Sequence, residues 1–148
     1  MTLDDLMARY RVIALDSNAL IYLIEDAALA DTVEALLNMI EDGRIRGAFS
    51  SVGLAEVLVK PGQVGDAARF EAYAAELQSA QNLRITVVDA ETAIDAAWIR
   101  GQSGIGLTDA LHLACARAAG ATAFITNDRR LQSRPGLDVI QLSDIEAA

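Results

Sequence analysis

The stretch GLTDALHLACARAAGATAFITNDRRL, residues 106–131, decides the fold class. Its first half places alanine and leucine at helical spacing and stops at Gly120, a residue typical of helix C-termini. Its second half contains residues 122–126, a short apolar run of the kind found in buried strands. A helix that leads directly into a buried strand is typical of a parallel sheet covered by helices.

The same alternation extends outward from this stretch along the chain. Buried strands are also predicted over residues 11–15, 45–49, 83–88 and 139–142. Helices are predicted over residues 19–24, 30–40, 53–59, 65–80, 90–100 and 109–119. Neither a repeat nor a long linker divides the chain. The sequence therefore predicts one α/β domain over residues 1–148, a three-layer α/β/α sandwich around a mostly parallel central sheet.

Several local features refine this prediction. The first residues form a capping-box pattern and place apolar side chains on one face, which predicts a short amphipathic helix that covers the sheet or contacts a partner chain. Ser50 and Thr108 are predicted helix caps. Pro61 is expected to end the helix before it, and residues 101–106, with three glycines, to form a loop. Trp98 is assigned to the buried face of its helix.

Composition limits the class of protein. With 148 residues and 53% hydrophobic side chains, the chain can bury a full core. The net charge of −9 argues against an unaided nucleic-acid binder, because phosphate contacts usually come from a basic face. No apolar run approaches a membrane span, and the N-terminus lacks a signal-peptide pattern, so a cytoplasmic location is expected. The single cysteine, Cys115, is predicted to be a small core residue.

Four carboxylates lie where a strand gives way to a helix or where a helix begins: Asp16, Glu56, Asp109 and Asp128. In open α/β sheets, ligands bind beyond the carboxyl ends of the strands, and these acids should meet there. Desolvating an isolated carboxylate is costly, and several together repel one another unless a cation joins them. Singly, the aspartates could be helix caps and Glu56 could face solvent. Together they favour a divalent-metal site that hydrolyses phosphodiesters.

Two short polar residues lie beside the first and fourth acids. Asn18 follows Asp16 by two residues, and Thr126 precedes Asp128 by two. Both side chains form hydrogen bonds at short range. They are therefore suited to orient metal ligands or water molecules.

The segments that carry the acids resemble the PIN-domain nucleases, and most closely the VapC-type toxins of bacterial toxin–antitoxin pairs. VIALDSNALIYLIE, residues 12–25, is similar to the family's opening strand and its acid-x-Asn motif. SSVGLAEVL, residues 50–58, is similar to the second acidic segment, and residues 106–131 to the third and fourth combined. The chain departs from the pattern at Arg130, where members often carry a further aspartate.

The resemblance implies a metal-dependent endoribonuclease. It assigns Asp16, Glu56, Asp109 and Asp128 to the catalytic, metal-binding pocket. It also implies Mg²⁺ as cofactor, for which Mn²⁺ could substitute, and RNA as substrate. A cognate antitoxin and a second copy of the chain are the expected protein partners.

The basic residues near the fourth acid admit two interpretations. Arg129 and Arg130 could hold RNA phosphates near the metal, or they could form a solvated turn. His112, the only histidine, lies three residues after Asp109 on the same predicted helix. It is expected to pack beside the acids or to orient them rather than to act as a general base.

Other functions fit the sequence less well. A PIN-fold module that binds RNA or protein without cleaving it is the main alternative, and the intact set of four acids counts against it. A phosphoryl-acceptor signalling domain needs a lysine after a late strand, but the only lysine is Lys60, directly before Pro61. A haloacid-dehalogenase-type phosphatase expects a second aspartate where this chain has Asn18.

Overall fold

A parallel sheet of five strands forms the middle of the protein in a computed structural model, which describes residues 1–24 and 28–146. The strands are β1 (Val12–Leu15), β2 (Arg46–Ser50), β3 (Leu83–Thr86), β4 (Ala123–Thr126) and β5 (Asp138–Gln141). They lie in the order β3-β2-β1-β4-β5, and every pairing is parallel. The predicted parallel sheet is therefore confirmed, with β1 at its centre and β4 beside it.

Helices cover both faces of this sheet. Within the described residues they are α1 (Leu3–Arg9), α2 (Ser17–Ile24), α3 (Ala30–Glu41), α4 (Ser51–Val64), α5 (Ala67–Ser79), α6 (Ala90–Ser103), α7 (Leu107–Ala118) and a 3₁₀ turn (Leu142–Asp144). None of these helices is both long and apolar enough to cross a membrane. The alternation of strands and helices follows the predicted order.

The central strand divides the hydrophobic core into two layers, because successive side chains of a strand point to opposite faces. Ile13 and Leu15 belong to one buried cluster together with Leu36 of α3. Ala14, between them, belongs to a second cluster together with Leu113 of α7. The predicted three-layer α/β/α sandwich is thereby confirmed.

The N-terminal helix and the single cysteine agree with prediction. Thr2 accepts a hydrogen bond from the Asp5 N–H, and Asp5 accepts one from the Thr2 N–H, which completes the capping box of α1. Leu6 of this helix is fully buried in the core, so α1 does cover the sheet. Cys115 is 1% exposed, as expected of a core residue.

Helix α4 continues to Val64, so the predicted end before Pro61 is wrong. The proline lies in the last turn, which is largely exposed. A proline removes only one i→i−4 hydrogen bond, here the one to the Val57 carbonyl, so the turn that follows can still form. The helix ends instead at Gly65, whose φ of 80° is left-handed and suits glycine.

The predicted loop over residues 101–106 is also shorter than expected. Helix α6 continues to Ser103 and ends at Gly104, whose φ is 72° and whose N–H bonds to the Arg100 carbonyl at 2.8 Å. Helix α7 then begins at Leu107, with Gly106 at the cap position and no side-chain cap. The predicted capping role of Thr108 is therefore wrong, because this residue already lies inside the helix.

The assignment of Trp98 to the core is wrong as well, since its side chain is 67% exposed. The buried residues of α6 are Thr92, Ala96 and Ile99, which lie on one face at helical spacing. Trp98 lies on the outer side, as does Ile94, which is 72% exposed. Ile94 and Trp98 lie four residues apart and form an apolar pair of their own, so the spacing of apolar residues does not identify the inward face.

Candidate active site at the carboxyl edge of the sheet

Asp16 lies at the end of β1 and is held there by hydrogen bonds. Its N–H donates to the Ile125 carbonyl at 2.9 Å, which continues the pairing with β4. Its side chain is only 6% exposed. The Thr126 hydroxyl donates to Oδ2 and the Ser17 N–H to Oδ1, each at 2.7 Å. These bonds replace the water that a buried carboxylate loses, so the position tolerates a charged acid.

Thr126 joins the first and fourth acids. Its fully buried Oγ1, besides donating to Asp16, accepts from the Asp128 N–H at 3.0 Å and from Asn18 Nδ2 at 3.3 Å. Asn18 Nδ2 also lies 3.4 Å from Asp16 Oδ2, whereas the buried Asn18 Oδ1 has no hydrogen-bond partner among the described residues. Both residues predicted to support the site thus lie against Asp16, and Asn18 retains an unsatisfied oxygen there.

His112 connects the second acid to the core. Its Nε2 lies 2.6 Å from Glu56 Oε1 and 3.8 Å from Asp16 Oδ1, and its Nδ1 lies 2.7 Å from Ser50 Oγ. Ser50 Oγ accepts the Gly53 N–H at 2.9 Å, so its own proton is available to Nδ1. Nε2 then carries the ring proton and donates it to Glu56, an assignment that follows from the hydrogen-bond network. The buried ring thereby orients a carboxylate that is 40% exposed.

Gly53 allows α4 to pack closely over the same histidine. A Cβ atom at this position would lie 2.8 Å from the Phe49 ring and 3.3 Å from His112 Cε1. Side chains do not normally approach so closely, and Phe49 is fully enclosed. The glycine is therefore part of the packing that holds His112 beside Glu56.

The third and fourth acids both lie beside the guanidinium group of Arg130. Arg130 Nε lies 3.0 and 3.2 Å from the two oxygens of Asp128, and its Nη2 lies 2.7 Å from Asp128 Oδ2. The same Nη2 is 4.0 Å from Asp109 Oδ2. Asp109 and Asp128 are 24% and 19% exposed, whereas the Arg130 side chain is 81% exposed. The guanidinium thus covers the acids from the solvent side.

The two acids differ in their electrostatic environment. Partial burial, reinforced by the negative charges of Asp16 and Asp128, raises the pKa of Asp109. The hydrogen bonds from Arg130 lower the pKa of Asp128. Of these two acids, Asp109 is therefore the one that gains more from an additional positive charge.

The four predicted acids meet at one edge of the sheet. His112 lies between Asp16 and Glu56, and Arg130 lies between Asp109 and Asp128. Among the residues that the structure describes, no three His, Cys, Asp or Glu side chains are close enough to hold one metal ion together. The donor set nevertheless fits a hard cation, because it consists of carboxylate oxygens and the unsatisfied amide oxygen.

Three contacts near the site were not predicted from sequence. Arg129 does not join the acids, since its guanidinium donates to Ser143 Oγ at 3.1 Å. Ser50 was expected only to cap a helix, which it does, but it also bonds His112. The contact between Arg130 and Asp128 was missed, although two residues of spacing in a turn is a signal that could have indicated it.

Comparison with known proteins finds one matching family model and several solved structures of similar fold. The family model of the PIN domain matches residues 13–137. No curated protein matches the sequence. Three similar solved structures come from toxin complexes or toxins: VapBC2 of Rickettsia felis bound to a fragment of promoter DNA, DNA-bound VapBC of Salmonella typhimurium, and the Mycobacterium tuberculosis toxin VapC20, described as cleaving the sarcin–ricin loop.

The likeness to these structures is one of fold. The Rickettsia chain is 21% identical with a TM-score of 0.68, and the match covers 88% of this chain and 98% of that one. The Salmonella chain is 21% identical with a TM-score of 0.69, over 88% and 97%. The Mycobacterium toxin is 18% identical with a TM-score of 0.58, over 76% and 86%.

Proposed function

The chain belongs to the PIN-domain family, and on that premise we propose that it is a metal-dependent endoribonuclease, the toxin of a type II toxin–antitoxin pair. The observation that carries the proposal is the meeting of four carboxylates where β1 and β4 end. Acidic clusters with divalent ions hydrolyse phosphodiesters without a protein nucleophile. This reaction class therefore fits the chain better than covalent catalysis.

Asp16, Glu56, Asp109 and Asp128 would hold Mg²⁺, and Mn²⁺ could take its place. The bound metal would supply the charge that activates water for in-line attack on phosphorus and that neutralises the leaving oxygen. The raised pKa of Asp109 supports this assignment, because carboxylates crowded together gain from a shared cation. A divalent ion should accordingly stabilise the folded protein.

The protein's own contribution is to orient the acids. Thr126 and Ser17 fix both oxygens of Asp16, and His112 fixes Glu56. Ligands that are already held in place lose less freedom when they bind a substrate or an ion. Glu56 is the more exposed of these two acids, so it is the one placed to face the substrate.

A structured RNA, such as a tRNA loop, is the proposed substrate. With a net charge of −9 the protein should bind RNA weakly by itself, so the shape of the RNA and the metal would provide recognition. Arg129, and Arg130 once it leaves Asp128, could contact phosphates beside the site. The similar Mycobacterium toxin is described as cleaving the sarcin–ricin loop, and this likeness supports a folded loop as the substrate class.

The proposed partners are an antitoxin and a second copy of the chain. The similar structures are largely toxin–antitoxin complexes, which supports an antitoxin. Its inhibitory group would be a basic side chain, most suitably arginine, inserted among the carboxylates. The exposed Ile94 and Trp98 on α6 offer an apolar surface for a symmetric homodimer. RNA and antitoxin together imply a cytoplasmic location.

A PIN-fold module that binds RNA or protein without cleaving it is the second candidate. Two observations favour it. Arg130 is hydrogen-bonded to the Asp128 carboxylate, and no three acidic or imidazole groups in the described part of the chain are placed to share a metal ion. The two proposals agree on the fold and on binding. They differ on metal-dependent hydrolysis.

Cleavage of purified tRNA and total RNA with Mg²⁺ or Mn²⁺ tests the proposal. We expect the wild type to cut, Asp16→Asn to be inactive, and Asp4→Asn, which removes the same charge from an exposed site on α1, to retain activity. Expression in a bacterium should halt growth only when the acids are intact. If the wild type leaves RNA intact with both metals and is harmless without an antitoxin, the non-cleaving module becomes the better assignment.

A further inference from the structure

Arg130 places a permanent positive charge among the acids of the site. Its Nε lies within 3.2 Å of both oxygens of Asp128, and its Nη2 lies within 4.0 Å of both Asp128 and Asp109. The backbone N–H of Arg130 also donates to Asp128 Oδ1 at 2.9 Å. The contact is a fork of parallel hydrogen bonds, the geometry in which arginine pairs best with a carboxylate.

Arg130 already uses the lone pairs of both Asp128 oxygens, since Oδ1 accepts from its backbone N–H and Nε, and Oδ2 accepts from Nε and Nη2. A divalent ion that binds either oxygen must therefore displace at least one of these hydrogen bonds. Repulsion between the two cations acts in the same direction. We propose that Arg130 is an intramolecular counter-ion that competes with the divalent metal for Asp128 and Asp109. The inference rests on the proposed function, since it takes the four acids to be metal ligands.

The arginine is placed so that it can leave. Its side chain is 81% exposed, so its departure opens no cavity in the core. An ion pair this exposed contributes little, which limits how strongly Arg130 can oppose the metal; we expect its removal to tighten metal binding roughly twofold to fivefold. Arg130 would therefore raise the metal concentration at which the site fills, without closing the site.

The neighbouring residue Arg129 provides a matched control. It carries the same charge one position away, but its guanidinium donates to Ser143 and, within residues 1–24 and 28–146, to no acid. Removing either arginine makes the net charge of −9 more negative by the same single unit. A comparison of Arg130→Gln with Arg129→Gln therefore isolates the effect of direct contact with the carboxylates.

The test is a titration of the full chain with Mn²⁺, without RNA and at physiological salt, in which electron paramagnetic resonance counts the free ion. We expect Arg130→Gln to bind Mn²⁺ about twofold to fivefold more tightly than Arg129→Gln, and Arg129→Gln to stay close to wild type. Equal affinity in the two variants would overturn the inference and leave the proposed metal site intact. If none of the three proteins binds Mn²⁺, both the metal site and this inference fall.

A second measurement follows the arginine itself. The ¹⁵N–¹H signal of Arg130 Nε reports its hydrogen bonds to Asp128 and should move as Mg²⁺ fills the site. The Arg129 signal should not move in parallel. An Arg130 signal that stays unchanged at metal saturation would show that both cations bind together, which contradicts competition.

Discussion

Replacing His112 by phenylalanine tests how the second acid is held. Phenylalanine keeps the ring and nearly the volume but makes neither of the two hydrogen bonds, to Ser50 at 2.7 Å and to Glu56 at 2.6 Å. Each such bond contributes roughly 1 kcal/mol net. The half-exposed Glu56 can bind water instead, but Ser50 is buried and its hydroxyl loses the acceptor of its proton, although it still accepts from the Gly53 N–H. A buried donor left without an acceptor costs about 1–3 kcal/mol, so the expected loss of unfolding free energy is at least about 2 kcal/mol.

Urea unfolding of the metal-free protein measures this loss. In a chain of 148 residues, about 2 kcal/mol corresponds to a fall in Tm of roughly 4–8 °C. Glu56→Gln is the matched control: the amide oxygen still accepts from Nε2, so its stability should stay within roughly 0.5 kcal/mol of wild type.

The same variant separates orientation from packing. If His112 orients a metal ligand, the affinity of His112→Phe for Mn²⁺ should fall by about tenfold to a hundredfold, as it does when outer partners of metal ligands are removed. A histidine that only packs would change stability and leave metal affinity alone. A stability loss below about 0.5 kcal/mol would refute the hydrogen-bond argument itself.

Three further predictions concern single side chains. In metal-free protein, Asp109→Asn should become more stable than wild type as the pH rises above 3.8. The raised pKa of Asp109 means that ionisation of this carboxyl opposes folding. The difference in unfolding free energy between the two proteins, measured in urea, should therefore be larger at pH 7 than near pH 3. Gly53→Ala should cost about 1–3 kcal/mol by chemical denaturation, since its Cβ would meet the enclosed Phe49 ring at 2.8 Å, and an unchanged midpoint would contradict this. If α6 forms the homodimer interface, the double variant Ile94→Ser and Trp98→Ser should be monomeric by light scattering, whereas a persisting dimer would place the interface elsewhere.

The layer architecture was predictable because its signals are local. Short apolar runs separated by helical patterns identify buried parallel strands without any knowledge of their neighbours. The ends of α4 and α6 were mispredicted because glycine and proline act through backbone angles that composition does not reveal. Gly65 and Gly104 are left-handed and end their helices, whereas Pro61 and Gly101 lie within helices.

The positions of the acids were predictable for a related reason. Parallel strands bring their carboxyl ends to one edge, so Asp16 and Asp128 had to lie near each other. The contacts that the acids make were harder to predict from the sequence. The direction of the His112 side chain depends on how α7 is rotated against α4. The hydrogen-bond partner of Arg130 depends on the conformation of the turn after β4. The direction of His112 is not encoded in the spacing of residues along the chain, and the two-residue spacing of Asp128 and Arg130 indicates a contact only if the two residues form a turn.

The contact between Thr126 and Asp16 joins residues 110 positions apart, and this affects how the site comes into being. A ribosome delivers β1 and β2 before it delivers β4, the other neighbour of β1. Contacts between such distant residues form late in folding. A nascent chain therefore holds two of its four acids long before it can assemble the rest. If the protein is a toxin, the cell that makes it is exposed to its activity only after β4 and Asp128 have been synthesised.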